Sequence, residues 1–240
     1  AQKEEIQTQS ELLVQSNAIK DKLFSIISHD LRSPLSSLLV LLDTTKKGII
    51  PQEKFQEFVW ELRENVGYTS SLVDNLLYWA KSQQNGITMQ PELFDICEIV
   101  SEELDHLKQM IKQKEIVVKN HIPNKTFVRA DRNMIKVVLR NLISNAVKYS
   151  NEGQQVTIDH IHTNDGAKIS VKDQGIGIPN HATNTILSSI GDSTPGTQNE
   201  KGTGLGLMIS KEFIQMHGGK LTFISEKDNG STFSFTLETQ

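Results

Sequence analysis

FSIISHDLRSPLSSLLVLL, residues 24–42, decides how the chain is organised. Leu23, Ile27, Leu31, Leu35, Leu38 and Leu42 recur at helical spacing and form one apolar stripe. At 100° per residue, His29 projects about 170° from the centre of that stripe, among Ser25, Arg32, Ser36 and Asp43. Arg32 and Ser33 share its face at i+3 and i+4. Pro34 lacks an N–H and crowds the Asp30 carbonyl, so the helix is expected to bend one turn past the histidine. A bend that changes with packing is a route by which an upstream signal reaches His29.

Upstream, Leu12, Ser16, Ile19, Leu23 and Ile26 alternate three and four apart. This is either a coiled-coil lead-in over residues 1–20 or a frayed polar helix end. Downstream, Gly48 supplies a stop and Pro51 a new start. Phe55, Phe58, Val59, Leu62, Val66, Leu72, Val73, Leu76 and Leu77 then return at helical spacing. Two long helices joined by a short turn make an antiparallel hairpin over residues 1–84. One hairpin cannot surround its own apolar face, so two copies are expected to associate as a four-helix bundle.

With 240 residues, 37% of them hydrophobic, the chain has room for a second domain with its own core. A formal net charge of −4 gives no general attraction to nucleic acid or an anionic membrane. The single cysteine, Cys97, excludes an intrachain disulfide and fits a reducing, cytoplasmic compartment. No apolar run approaches the ~20 residues that span a bilayer. The abrupt start in a helical pattern leads us to expect a missing sensor region, with or without a membrane anchor.

Residues 85–91 read as a linker, and residues 92–240 as a mixed domain. Asp95 is expected to cap a helix running to about Lys114, and Asp131 one running to Tyr149. Strands are expected at 115–120, 126–129, 155–162 and 168–172, the last two joined by a turn at Asn164, Asp165 and Gly166. A helix from Leu205 to Met216 and a hairpin of 220–225 with 231–237 complete an α+β sandwich, one sheet faced by helices.

Three stretches of this domain carry polar chemistry. Asn141, Asn145 and Lys148 share a helix face at i, i+4 and i+7, followed by Tyr149. An amide oxygen suits Mg²⁺, an ammonium suits phosphate, and a tyrosine ring packs on a base; a solvated helix face has the same pattern. Asp173, Gly175, Gly177, Ile178 and Pro179 follow a strand, where glycines allow a tight turn beside a ligand; an ordinary surface turn fits equally. Gly202, Thr203, Gly204, Leu205 and Gly206 open a helix whose free N–H groups suit phosphate oxygens.

Taken in order, these stretches resemble the N, G1 and G2 boxes of the ATP-binding domain that histidine kinases share with type II topoisomerases, MutL proteins and some chaperones. The segment Gly230, Ser231, Thr232, Phe233 resembles the family's last glycine box. The segment His29, Asp30, Leu31, Arg32, Ser33, Pro34, Leu35 resembles the H-box of sensor histidine kinases. The resemblance implies ATP and Mg²⁺ as cofactors, with Asn145 on the metal and Asn141 nearby. It further implies Lys148 near the phosphates, Tyr149 against the adenine and Asp173 on its amine. Gly175, Gly177, Ile178 and Thr232 would complete the nucleotide site, with Gly202 to Gly206 along the phosphates.

His29 would be the phosphoacceptor, with Asp30 orienting its ring. The implied partners are a second copy of the chain and a response-regulator receiver domain, the architecture of bacterial two-component signalling. Members that hydrolyse ATP place a glutamate where this chain has Asn141; an imidazole acceptor needs no such base. The segment between G1 and G2 departs from the phenylalanine-containing pattern, with Ile186, Leu187 and Ile190 in its place. Ser33 replaces the threonine or asparagine common in relatives, which puts a phosphatase activity toward the regulator in question. A serine-directed kinase of the anti-sigma-factor type lacks the H-box hairpin, and a silent dimeric scaffold has no need of four nucleotide boxes.

Overall fold

The computed structural model describes residues 36, 37, 39, 40, 42–44, 46, 55, 59, 66, 69, 73, 89–163, 166–179, 186, 187, 194–200, 202 and 204–237. The chain divides into two compact units, Ala1–Gly86 and Ile87–Gln240. Every described residue of the first unit is α-helical. Leu42 of the first apolar stripe and Phe55, Val59 and Val66 of the second helix are 40–55% exposed. His29, Asp30, Ser33, Pro34, the lead-in and the turn at Gly48 and Pro51 lie outside the described residues. Among the described residues, no helix is long and apolar enough to cross a membrane.

The second unit begins with β1 (Glu92–Asp95) and α1 (Ile96–Gln113). Asp95 caps α1 by accepting the Cys97 N–H at 3.0 Å. The same carboxylate accepts the N–H groups of Lys125 and Thr126, fixing the approach to β3 (Phe127–Ala130). Between them runs β2 (Val117–Asn120). A strand is expected from residue 115, but Glu115 has φ of +52° and the Ile116 N–H bonds back to the Ile111 carbonyl. The chain is still closing the helix there, so β2 starts two residues later.

α2 (Arg132–Tyr149) is capped by Asp131, whose Oδ1 accepts the N–H groups of Asn133 and Met134. It buries Met134, Ile135, Val138, Leu139, Leu142, Ile143, Ala146 and Val147, the continuous stripe of a core-facing helix. β4 (Gln155–Thr163) and β5 (Gly166–Asp173) follow, then α3 (Gly206–Met216), β6 (Leu221–Ser225) and β7 (Ser231–Leu237).

Five strands form one sheet in the order β2-β4-β5-β7-β6, with β2 parallel to β4 and every other pair antiparallel. Val156, Ile158, Ile169, Val171, Phe233 and Phe235 are buried on its inner face. Ser170 and Ser234 share the other face, with their hydroxyl oxygens 2.9 Å apart. Such a sheet is covered on one side only, and α2 and α3 pack against that side. The unit is the expected α+β sandwich. β1, unannounced in the sequence, pairs with β3 in a separate two-stranded ladder, Phe94 opposite Val128.

Candidate functional site

The C-terminal half of α2 is the hub to which the glycine-rich stretches attach. Asn141 donates through Nδ2 to the Gly206 carbonyl at 3.1 Å and to Ser210 Oγ at 3.3 Å, tying α2 to the first turn of α3. A Cβ on Gly206 would sit 3.1 Å from Asn141 Cγ, so glycine permits this approach. Leu205, the N-cap of α3, is buried and supplies no side-chain cap. The N–H groups of that first turn make no bond to the side chain of their cap residue, and a helix N-terminus favours an anion. Gly204, with φ of +66°, brings the chain into that turn. Gly202 is described without regular structure, and Thr203 lies outside the described residues.

One turn beyond Asn141, Asn145 is half-buried, and its carboxamide makes no hydrogen bond among the described residues. That leaves a hard oxygen uncommitted, the donor Mg²⁺ accepts. No group of three or more His, Cys, Asp or Glu side chains suited to a metal occurs among the described residues. Asn145 fits a magnesium ion that takes its remaining ligands from phosphate and water, as this small cation usually does.

Lys148 is 6% exposed. Its Nζ lies 4.7 Å from the centre of the Tyr149 ring and donates to Tyr149 Oη at 3.1 Å and the Thr194 carbonyl at 3.3 Å. The Tyr149 hydroxyl donates to the same carbonyl. Both side chains are thus engaged with the segment 194–200 that precedes the G2 stretch.

Asp173 ends β5 and is 5% exposed. Burial pushes its carboxyl up to about 6, against the opposing effect of hydrogen bonds from the Gly175 and Ser231 N–H groups at 2.9 and 3.1 Å. Gly175 passes so close to Tyr149 that an added Cβ would lie 2.2 Å from its carbonyl oxygen, and the Ile176 N–H bonds that oxygen. Gly177, at φ of +62°, leaves no room for a Cβ against Glu226. Ile178 is buried and donates its N–H to Ser225 Oγ. Gly230, at φ of +84°, packs on the Asp173 carbonyl. The end of α2, the G1 stretch and the last glycine box therefore meet around Asp173.

Thr232 does not join them. It pairs with Lys172 across β5 and β7, so its side chain lies on the sheet face opposite Asp173. Ser231, buried and bonded through its N–H to Asp173, takes the place expected of Thr232. Strand alternation counted back from buried Phe233 identifies this residue. Lys114, Thr197 and Glu200, which hold the segment 194–200 against α2, also escape the sequence reading. A cleft of about 490 Å³ along α1, lined by Asp95, Glu98, Glu102 and Asp105 among others, contains none of the box residues. Its acidic lining is unsuited to a triphosphate.

Residues 130–240 match the family described as histidine kinase-, DNA gyrase B-, and HSP90-like ATPase. Residues 19–85 match the His Kinase A (phospho-acceptor) domain. The adaptive-response sensory kinase SasA of a Prochlorococcus marinus strain is 32% identical over 236 residues, covering 97% of this chain and 60% of the relative. The chain thus spans about three-fifths of the length of that relative. The catalytic domain of histidine kinase ThkA is 30% identical, with a TM-score of 0.54, over 62% of this chain and 96% of that one. Histidine kinase ThkA in complex with response regulator protein TrrA has the same fold at 22% identity, with a TM-score of 0.67, over 89% of this chain and 60% of that one.

Proposed function

The chain belongs to the sensor histidine kinases, and from that premise we propose that it transfers the γ-phosphoryl group of ATP to His29 and then to an aspartate of a response-regulator receiver domain. The observation that carries the reading is the convergence on α2. Its Asn141, Lys148 and Tyr149 meet the first turn of α3, the turn after Asp173 and the segment before Gly202, and Asn145 lies between them on the same helix.

Asp173 would accept the adenine amine, and Tyr149 would lie on the ring. Lys148 would give the N–H left over from Tyr149 and Thr194 to a phosphate oxygen, while the first turn of α3 and Gly202 to Gly206 line the triphosphate. Asn145 would hold Mg²⁺, which neutralises charge on the phosphates when bound. A ring nitrogen of His29 attacks the γ-phosphorus. The N–P bond forms as the bond to the bridging oxygen breaks, and ADP leaves with that oxygen. Asp30 would accept the proton-bearing nitrogen's hydrogen bond and fix the tautomer. Asn141 supports transfer to protein over hydrolysis, since its amide is spent on Gly206 and Ser210 and is no base for water.

We assign residues 1–84 to phosphotransfer and dimerisation, 85–91 to a linker and 92–240 to nucleotide binding. The half-exposed Leu42, Phe55, Val59 and Val66 support a homodimer, in which a second hairpin covers them. The kinase region works in the cytoplasm, where ATP and the receiver domain are found. Incubation with γ-labelled ATP and Mg²⁺ tests the reading. Label that requires His29, is lost in acid and survives alkali is expected. Label on the His29→Ala variant, or acid-stable label, would overturn it.

A further inference from the structure

Lys114 follows α1 and is 1% exposed, one of the largest fully buried side chains of the described chain. An ammonium group has three N–H bonds, yet five oxygens lie within 3.1 Å of its Nζ. Three are carbonyls at the end of α2, those of Val147 at 3.1 Å, Lys148 at 2.7 Å and Ser150 at 3.1 Å. A cation there complements the negative end of the helix. The other two are Thr197 Oγ1 at 2.7 Å and Glu200 Oε1 at 2.6 Å, both from the segment leading into Gly202.

Burial alone would raise the Glu200 carboxyl, but the ion pair with Lys114 leads the interactions that bring it below the ordinary 4.5. The contact is reinforced around it. The Thr197 N–H donates to the Lys148 carbonyl, and its hydroxyl donates to that of Ser150 at 2.6 Å. Gly196 packs so closely on Lys148 that an added Cβ would lie 2.6 Å from its Cγ. Thr194, three residues before Thr197, offers the carbonyl that Lys148 and Tyr149 both bond.

We infer that Lys114 is a positioning residue for nucleotide binding, which docks residues 194–200 on the end of α2 and so fixes how Lys148 and Tyr149 are presented to ATP. The inference rests on the ATP reading above and adds to it a residue from outside the four boxes. Lys114 touches no substrate. It acts through the carbonyls and side chains it gathers, and Glu200 and Thr197 act with it as one unit.

Mg·ATP affinity of the whole chain, measured by calorimetry alongside thermal melting, tests this. Lys114→Met is expected to weaken binding about tenfold or more, because small displacements of binding groups are costly. Glu200→Gln and Thr197→Val, which leave the lysine in place, should each weaken it about three- to tenfold in chains still folded at the assay temperature. The double variant Lys114→Met/Glu200→Gln should bind no worse than Lys114→Met alone, since coupled groups are not additive. A purely structural lysine would lower the melting midpoint and leave the affinity of the folded chain unchanged. Affinities of Glu200→Gln and Thr197→Val within about twofold of the parent, or an additive double variant, overturn the inference even if Lys114→Met fails to fold. A parent chain with no affinity for Mg·ATP would instead sink the ATP reading, and the inference with it.

Discussion

Asp173 puts a carboxylate where the fold resists its charge. Burial lifts its pKa from an ordinary 3.8 to about 6. Between those values the folded chain holds a proton that the unfolded chain releases, so Asp173 favours folding at low pH and opposes it as pH rises through 6. The cost at neutral pH is of order 3 kcal/mol. Asp173→Asn keeps an oxygen to accept the Gly175 and Ser231 N–H groups and removes the charge. Its melting midpoint should exceed the parent's at pH 8, and the difference should vanish near pH 4. Affinity should move the other way. If the ionised carboxylate accepts the adenine amine, parent ATP binding should weaken as pH falls through 6. The asparagine variant should bind weakly throughout, by about tenfold to a hundredfold at pH 8. Calorimetric titrations between pH 5 and 8 separate the two effects, and pH-independent affinity in the parent would remove Asp173 from the adenine contact. The sequence points to Asp173 because an aspartate at a strand end before two glycines is a local pattern. It is less plain at the last glycine box, where Ser231 and Thr232 differ by one position and strand alternation sends them to opposite faces.

At the scale of elements, what the sequence announces is what local chemistry decides. Asp95 and Asp131 are legible as N-caps because a cap needs only its own next three residues. Asp131→Ala should release the Asn133 and Met134 N–H groups and cost about 1–2 kcal/mol, a fall of a few degrees in the melting midpoint. ATP affinity should stay near the parent's, since Asn141 and Lys148 lie turns away along α2. An unchanged midpoint would mean that water replaces the cap without loss. β1 is illegible for the opposite reason, being four residues whose strand character comes from a partner some 35 positions away. Lys114 hides in the same way. In sequence it is one more lysine at the end of a helix rich in charge, and its burial appears only when Ser150, Thr197 and Glu200 are brought to it across 36 to 86 positions. The caps are readable and the docking is not, because docking is a property of the tertiary fold.

At the scale of the whole molecule, the two units handle apolar surface differently. The second buries its apolar stripes within itself, with Ile135, Leu139, Ile158, Ile169 and Phe235 at zero exposure. In the first, Leu42, Phe55, Val59 and Val66 are 40–55% exposed. Each such side chain, once fully buried, contributes roughly 1.5–3 kcal/mol, so a self-complementary helical face is a strong reason to associate. A second copy supplies a matching face by symmetry, and two hairpins close a bundle where one cannot. Sedimentation of the chain at micromolar concentration should therefore report a dimer. Val59→Glu with Val66→Glu would place carboxylates on the buried seam, where each needs a partner that the bundle does not provide, and should shift the chain to monomer. The residues proposed to hold the nucleotide all belong to the second unit, so the monomeric variant should bind Mg·ATP within about twofold of the parent. A dimer that survives both substitutions would move the interface off these helices. A loss of nucleotide binding along with the dimer would instead mean that the site is incomplete in one chain.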